Sequence, residues 1–244
     1  MQVKIISSGD NYIYLIITGN TAAVVDPGSA RSVLSAVRKF DVEISHVLIT
    51  HNHFDHTGGC REIKAKTDCS IVGPGPSHDR AVSDGDIVAV GDCNVKVIAV
   101  PGHTHNDVAY YVSAEKMLFT GDTLFAGGCG RLFGGNADGM WNSLKKIMSL
   151  SDETLIYCGH DYALENLEFA AHLEPDNLEV LKRLEDVRQQ GRADSPTVPS
   201  SLKLEKATNP FLRADTEAMK KAIGKPNASP SEVFAEIRRR KDQW

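Results

Sequence analysis

The segment Thr50-His51-Asn52-His53-Phe54-Asp55-His56-Thr57-Gly58-Gly59 places three imidazoles and a carboxylate within six residues. Neutral imidazole nitrogens and carboxylate oxygens are donors that divalent first-row ions accept, and the carboxylate offsets part of the ion's charge. Donors of the same kind recur downstream at Gly102-His103, Gly121-Asp122 and Gly159-His160. Each follows a short apolar run and a glycine. A lone Gly-His or Gly-Asp carries little weight, but four such segments in one chain point to a metal centre built on loops. Asp26, in Val24-Val25-Asp26-Pro27-Gly28, reads as a turn residue at a strand end.

Such loops need a rigid frame. Val3–Ile6, Tyr12–Thr18 and Thr21–Val25 read as strands, the last two joined by Gly19-Asn20, a hairpin-type turn. A helix follows Asp26-Pro27-Gly28, with Ser29 as its cap and Val33, Val37 and Phe40 at helical spacing. His46–Ile49 reads as an apolar strand running into the histidine segment, and a helix is expected over Gly59–Thr67. Strand-like runs recur at Ile87–Val90, Val95–Val100, Val108–Val112, Met117–Thr120 and Thr154–Tyr157, with a helix over Asp138–Leu150. This mixture predicts two sheets with helices outside. Beyond Asp161 the chain turns helical, at Ala163–Leu173, Leu178–Gln190, Thr216–Ile223 and Ser231–Lys241. The expected division is therefore residues 1–165 and 166–244.

Composition narrows the classes. The chain has 244 residues, enough for one large or two small domains, with 41% hydrophobic and 24% charged residues as in ordinary soluble domains. A formal net charge of −5 argues against a nucleic-acid or membrane-surface partner. The five cysteines are scattered, with no Cys-x-x-Cys, which suits a reducing compartment better than a disulfide framework or a zinc ribbon. The longest early apolar run, Ile13–Ile17, is a strand's length, so neither a signal peptide nor a membrane span is expected, and the expected location is cytoplasmic.

The run His51-x-His53-x-Asp55-His56, followed in order by His103, Asp122 and His160, resembles the metallo-β-lactamase superfamily over about residues 1–165. That resemblance implies an α+β fold, an αββα sandwich with a two-metal site at one edge. It also implies that His51, His53 and His103 hold one metal, Asp55, His56 and His160 the other, that Asp122 bridges them, and that Asp26, otherwise a turn residue, orients a ligand. The fold hosts many chemistries and does not settle function. Gly121-Asp122-Thr123-Leu124-Phe125, Gly128-Cys129-Gly130-Arg131, Gly159-His160-Asp161-Tyr162, Asn209-Pro210-Phe211-Leu212-Arg213 and Arg238-Arg239-Arg240-Lys241-Asp242-Gln243 are similar to the glyoxalase II family. In that family a small all-helical C-terminal domain follows the sandwich and helps to bind glutathione.

What this second resemblance implies is hydrolysis of S-D-lactoylglutathione, and of related S-2-hydroxyacylglutathione thioesters, to glutathione and a 2-hydroxy acid such as D-lactate. That is the second step of methylglyoxal detoxification. The nucleophile is a bridging metal hydroxide, with Asp55 and Asp122 as the carboxylates that serve it. The cofactor is a pair of divalent ions, zinc first, with iron or manganese also suited to mixed imidazole and carboxylate ligation. Arg131, Phe133, Tyr162, Arg238 and Lys241 match substrate-contacting positions, in a chain expected to act as a monomer. Arg238 and Lys241 also read as a solvated basic helix end. Two departures stand out. Phe133 occupies a position where the family often has tyrosine, and His105-Asn106 replaces the usual Gly-His after the threonine. Alternatives within the fold are a lactonase, a β-lactamase or hydrolase of another thioester, and an iron-dependent glutathione persulfide dioxygenase. The last would not need Asp55, His56 and His160.

Overall fold

Tyr12–Thr18 carries apolar side chains on both faces of one strand, and both faces are buried. Ile13, Leu15 and Ile17 point one way, into a cluster with Val33, Ile44, Val47 and Ile63. Tyr14 points the other way and packs its ring 5.3 Å from that of Phe119. A strand coated on both sides must lie inside a layered structure.

The computed structural model describes residues 1–193 and 195–244. The chain divides into two units, Met1–Ala99 with Asn106–Gly121, and Val100–His105 with Asp122–Trp244.

The first unit holds two sheets. One is β1 (Gln2–Ser8), β2 (Asn11–Thr18), β3 (Thr21–Val25), β4 (Glu43–Leu48), β5 (Ser70–Pro74) and β6 (Arg80–Val82), adjacent in that order. β1 to β3 pair antiparallel, as the two-residue link Gly19-Asn20 requires, and β3 to β6 pair parallel. The parallel crossovers run through α1 (Ala30–Phe40) and, after the short α2 (Phe54–Thr57), through α3 (Cys60–Thr67). Ser29 caps α1 by accepting from Ser32 N at 3.3 Å. Val33 is buried, and Leu34, Val37 and Phe40 complete the stripe against the sheet.

The other strands of this unit are β7 (Ile87–Val90), β8 (Cys93–Ala99), β9 (Val108–Val112) and β10 (Met117–Gly121), antiparallel neighbours in sequence order. The two sheets face each other across Tyr14 and Phe119. Tyr110 crosses the same interface, donating its hydroxyl to Ile49 O at 2.8 Å. β5 and β6 have no counterpart in the sequence reading.

The second unit begins with the hairpin β11 (Leu124–Phe125) and β12 (Gly128–Cys129), then α4 (Ala137–Met148) and β13 (Leu155–Cys158). It continues through α5 (Ala163–Leu173), α6 (Leu178–Arg192), β14 (Ser200–Ser201), α7 (Leu202–Thr208), α8 (Glu217–Ala222) and α9 (Pro230–Asp242). α5 and α6 pack through Leu167, Leu184 and Val187. α9 starts with a capping box, Ser229 and Glu232 satisfying each other's backbone N–H. No described helix is long and apolar enough to cross a membrane.

Candidate metal centre

The first unit builds its donors at the carboxyl ends of the parallel strands, where open α/β sheets place ligands. β3 ends at Asp26, which is buried at 3% exposure and held at φ +50°. Aspartate tolerates that left-handed conformation better than most residues. Its carboxylate accepts from Thr50 N at 2.8 Å, Thr50 Oγ1 at 2.7 Å and His56 Nδ1 at 3.1 Å. Because the Thr50 hydroxyl donates to Asp26, its oxygen accepts from His51 Nδ1 at 3.0 Å. Both imidazoles therefore carry their proton on Nδ1 and turn Nε2 outward as a donor pair. Of its two sequence readings, Asp26 is the orienting carboxylate.

The loop closes over this anchor because glycine lets two backbones touch. A Cβ on Gly28 would lie 1.9 Å from Asp55 O. His53 precedes α2, its carbonyl accepting from His56 N and Thr57 N, and its Nδ1 lies 3.1 Å from His51 Nε2. Asp55 Oδ2 stands 3.5 Å from His56 Nε2 and also accepts from Asn11 Nδ2 at 3.3 Å.

The second unit brings together His103, Asp122 and His160, separated in sequence and all buried. One oxygen, Asp122 Oδ2, lies 3.6 Å from His103 Nε2 and 3.4 Å from His160 Nε2. His103 donates Nδ1–H to Arg131 O at 2.8 Å, so its Nε2 is the nitrogen turned toward Asp122. The ring of His160 stacks on Tyr162 at 4.9 Å.

These spacings have a chemical meaning. Separations of 3.4–3.6 Å are long for a charge-assisted hydrogen bond. They match the edge of a coordination tetrahedron, since two donors each about 2.1 Å from one ion are about 3.4 Å apart. Both imidazole nitrogens lie at this spacing from the same carboxylate oxygen, Asp122 Oδ2. The donor set is nitrogen and oxygen alone. Burial pushes the Cys129 thiol to about 11 and Cys158 to about 12, so neither is offered as thiolate.

Comparison with known proteins agrees over the whole chain. Residues 8–80 and 72–160 match the model of the metallo-beta-lactamase superfamily, and residues 161–244 match that of the hydroxyacylglutathione hydrolase C-terminus. A hydroxyacylglutathione hydrolase of Rhodospirillum rubrum is 45% identical over 100% of this chain and 97% of its own length. One from Methylococcus capsulatus is 43% identical over 99% of this chain and 97% of its own length. The chain belongs to the hydroxyacylglutathione hydrolase family. Among solved structures, ETHE1 from Myxococcus xanthus superposes with a TM-score of 0.71 at 27% identity, covering 98% of this chain and 90% of that one. BLEG-1, a B3 metallo-beta-lactamase, superposes at 0.67 and 20% identity over 86% of this chain and 99% of its own, a likeness of fold. The architecture is thus the metallo-beta-lactamase fold, an α+β sandwich, with the helical C-terminus of the hydroxyacylglutathione hydrolases. That fold and the two donor sets make the chain a divalent-metal binder.

The five residues matched to substrate contacts all lie in the second unit, in different settings. In this family member Arg131 is exposed, while its carbonyl fixes His103. Phe133 is 65% exposed, with its ring edge-on to His103 at 5.4 Å. Tyr162 is half-buried against Phe125 and His160. Arg238 is buried, donating Nη1–H to Cys129 O at 2.9 Å and Nε–H to Asp242 at 3.0 Å, with its guanidinium over Phe211. Lys241 is buried as well, ion-paired with Glu165 and set over the Phe169 ring. Neither α9 residue is a solvated helix end. The rim histidine, His105, is exposed, and the absence of a side chain at Gly134 makes room for its ring.

Proposed function

We propose that the chain hydrolyses S-D-lactoylglutathione and related S-2-hydroxyacylglutathione thioesters to glutathione and a 2-hydroxy acid such as D-lactate. The observation that carries this reading is end-to-end similarity to hydroxyacylglutathione hydrolases, including the C-terminal segment 161–244. The ligand assignment follows the family pattern. His51, His53 and His103 would hold one divalent ion, Asp55, His56 and His160 a second, with Asp122 serving both. Zinc suits this nitrogen and oxygen set, as do iron and manganese; one fold relative, TTHA1623, has been solved in a di-iron-bound form.

Bound there, two such ions supply hydroxide near neutral pH and polarise the thioester carbonyl. The chain's own residues do the rest. Asp26 and Thr50 hold His51 and His56 in the tautomer that presents Nε2, and Arg131 O does the same for His103. Residues 166–244 serve as the substrate-binding domain. Arg131, Lys241 and the hydroxyl of Tyr162 recognise the carboxylates and amides of glutathione, Phe133 packs against it, and Arg238 completes the set from beneath by fixing Cys129.

A substrate panel tests this reading. Purified protein should hydrolyse S-D-lactoylglutathione with kcat/KM at least about 100-fold above any lactone or β-lactam, a difference of about 2.7 kcal/mol in transition-state binding. Faster lactone turnover, or oxygen consumption with a glutathione persulfide, would replace it with one of the other chemistries of the fold.

A further inference from the structure

The donors of the second unit depend on residues far from them in sequence. The hairpin of β11 and β12 leaves Asp122 and returns at Arg131, with two paired positions, Leu124 with Cys129 and Phe125 with Gly128. A ladder that short leaves most of its polar backbone unsatisfied, and buried backbone groups need partners. Side chains supply them. Asn209 donates to Phe125 O at 3.4 Å and Gly128 O at 2.9 Å, Asn166 donates to Ala126 O at 3.2 Å, and Glu205 accepts from Gly127 N at 2.9 Å.

The three side chains are built for this. Asn166 is 5% exposed, and Glu205 and Asn209 are fully buried. Asn209 also donates to Glu205 Oε2 at 3.1 Å, while Arg183 and the Ser200 hydroxyl engage the other carboxylate oxygen. The hairpin is shaped to receive them: Gly127 has φ +70°, and a Cβ on Gly128 would lie 2.5 Å from the Asn166 amide.

The same hairpin reaches every donor of its unit. It is joined to Asp122 through Thr123. A Cβ on Gly130 would lie 2.0 Å from Asp122 O and 2.9 Å from His103 Nδ1, and the next carbonyl, Arg131 O, holds that nitrogen. The Phe125 ring packs edge-on to His160 at 6.0 Å. We infer that Asn166, Glu205 and Asn209 are positioning residues for the metal centre. By clamping the hairpin they keep Asp122, His103 and His160 at coordination spacing before an ion arrives. The inference rests on Asp122 and His103 being ligands, and is independent of which thioester is cleaved.

The test uses zinc-loaded full-length Asn166→Ala and Asn209→Ser, with zinc affinity measured by chelator competition. Both variants should keep wild-type far-UV circular dichroism yet bind zinc about 10–100-fold more weakly, the range seen when residues supporting ligands are removed. At saturating zinc, KM for the thioester should return to the wild-type value. Wild-type zinc affinity in folded variants overturns the inference. So does failure of both to fold, which would assign the clamp to the fold and not to the site. Asp122→Asn separates the two layers. If it retains full zinc affinity, the ligand assignment fails and the clamp with it. If it loses zinc while the clamp variants do not, the clamp alone is wrong.

Discussion

Asp26 takes three hydrogen bonds from the loop that carries four of the proposed ligands. The ligand geometry of that loop is thus organised by the protein, and removing the acceptor should loosen the ion while sparing the sheet. Asp26→Asn is expected to weaken metal binding about 10–100-fold, read by chelator competition on folded protein; unchanged affinity would return Asp26 to the role of a turn residue. The ligand types were legible because histidine in such density after a strand has few other uses. The partners of those ligands were not, because Thr50, Asn166, Glu205 and Asn209 look like ordinary polar residues until the chain folds. The thiols make a separate prediction. Cys129 and Cys158 are held at about 11 and 12, mainly by burial. An unfolded thiol ionises near about 8.5, so the unfolded state releases protons that the folded state retains. Their contribution is therefore complete below that pH and is lost as pH rises toward 11 to 12. The unfolding free energy from urea denaturation should fall between pH 8 and pH 10, by on the order of 1–2 kcal/mol per thiol. A fall of the same size in a Cys129→Ala/Cys158→Ala protein would show that these thiols do not cause it.

Among the elements, long periodic segments were readable and short ones were not. Ala163–Leu173 matches its sequence reading residue for residue, because eleven residues give several turns of periodic signal. β6 has three residues, and β11, β12 and β14 have two each, too few for any periodicity to register. β5 ends in Gly73-Pro74, which reads as a turn. α7 spans seven residues and has no counterpart in the sequence reading, although it carries Glu205. Its buried pairing with Arg183 on α6 is a liability if halved, since either charge alone is stranded away from water. Arg183→Met should destabilise the folded protein by about 3–5 kcal/mol, measured by urea denaturation. A loss below about 1 kcal/mol would mean that water reaches Glu205.

At the scale of the whole chain, the sequence showed a β-rich part followed by a helical part, and the solved relatives share that fold. It did not show that Val100–His105 would group with Asp122–Trp244. Such a grouping depends on long-range contacts, for example Phe133 N donating to His103 O at 2.9 Å, which no local pattern encodes. If the two donor sets hold two ions that together make the hydrolase, activity must follow metal loading. Protein stripped by chelator is titrated with zinc while hydrolysis of S-D-lactoylglutathione is followed. No turnover is expected in the stripped protein, with a rise to a plateau at two equivalents per chain; full activity at one equivalent, or in stripped protein, would mean that the chain is not a dinuclear hydrolase.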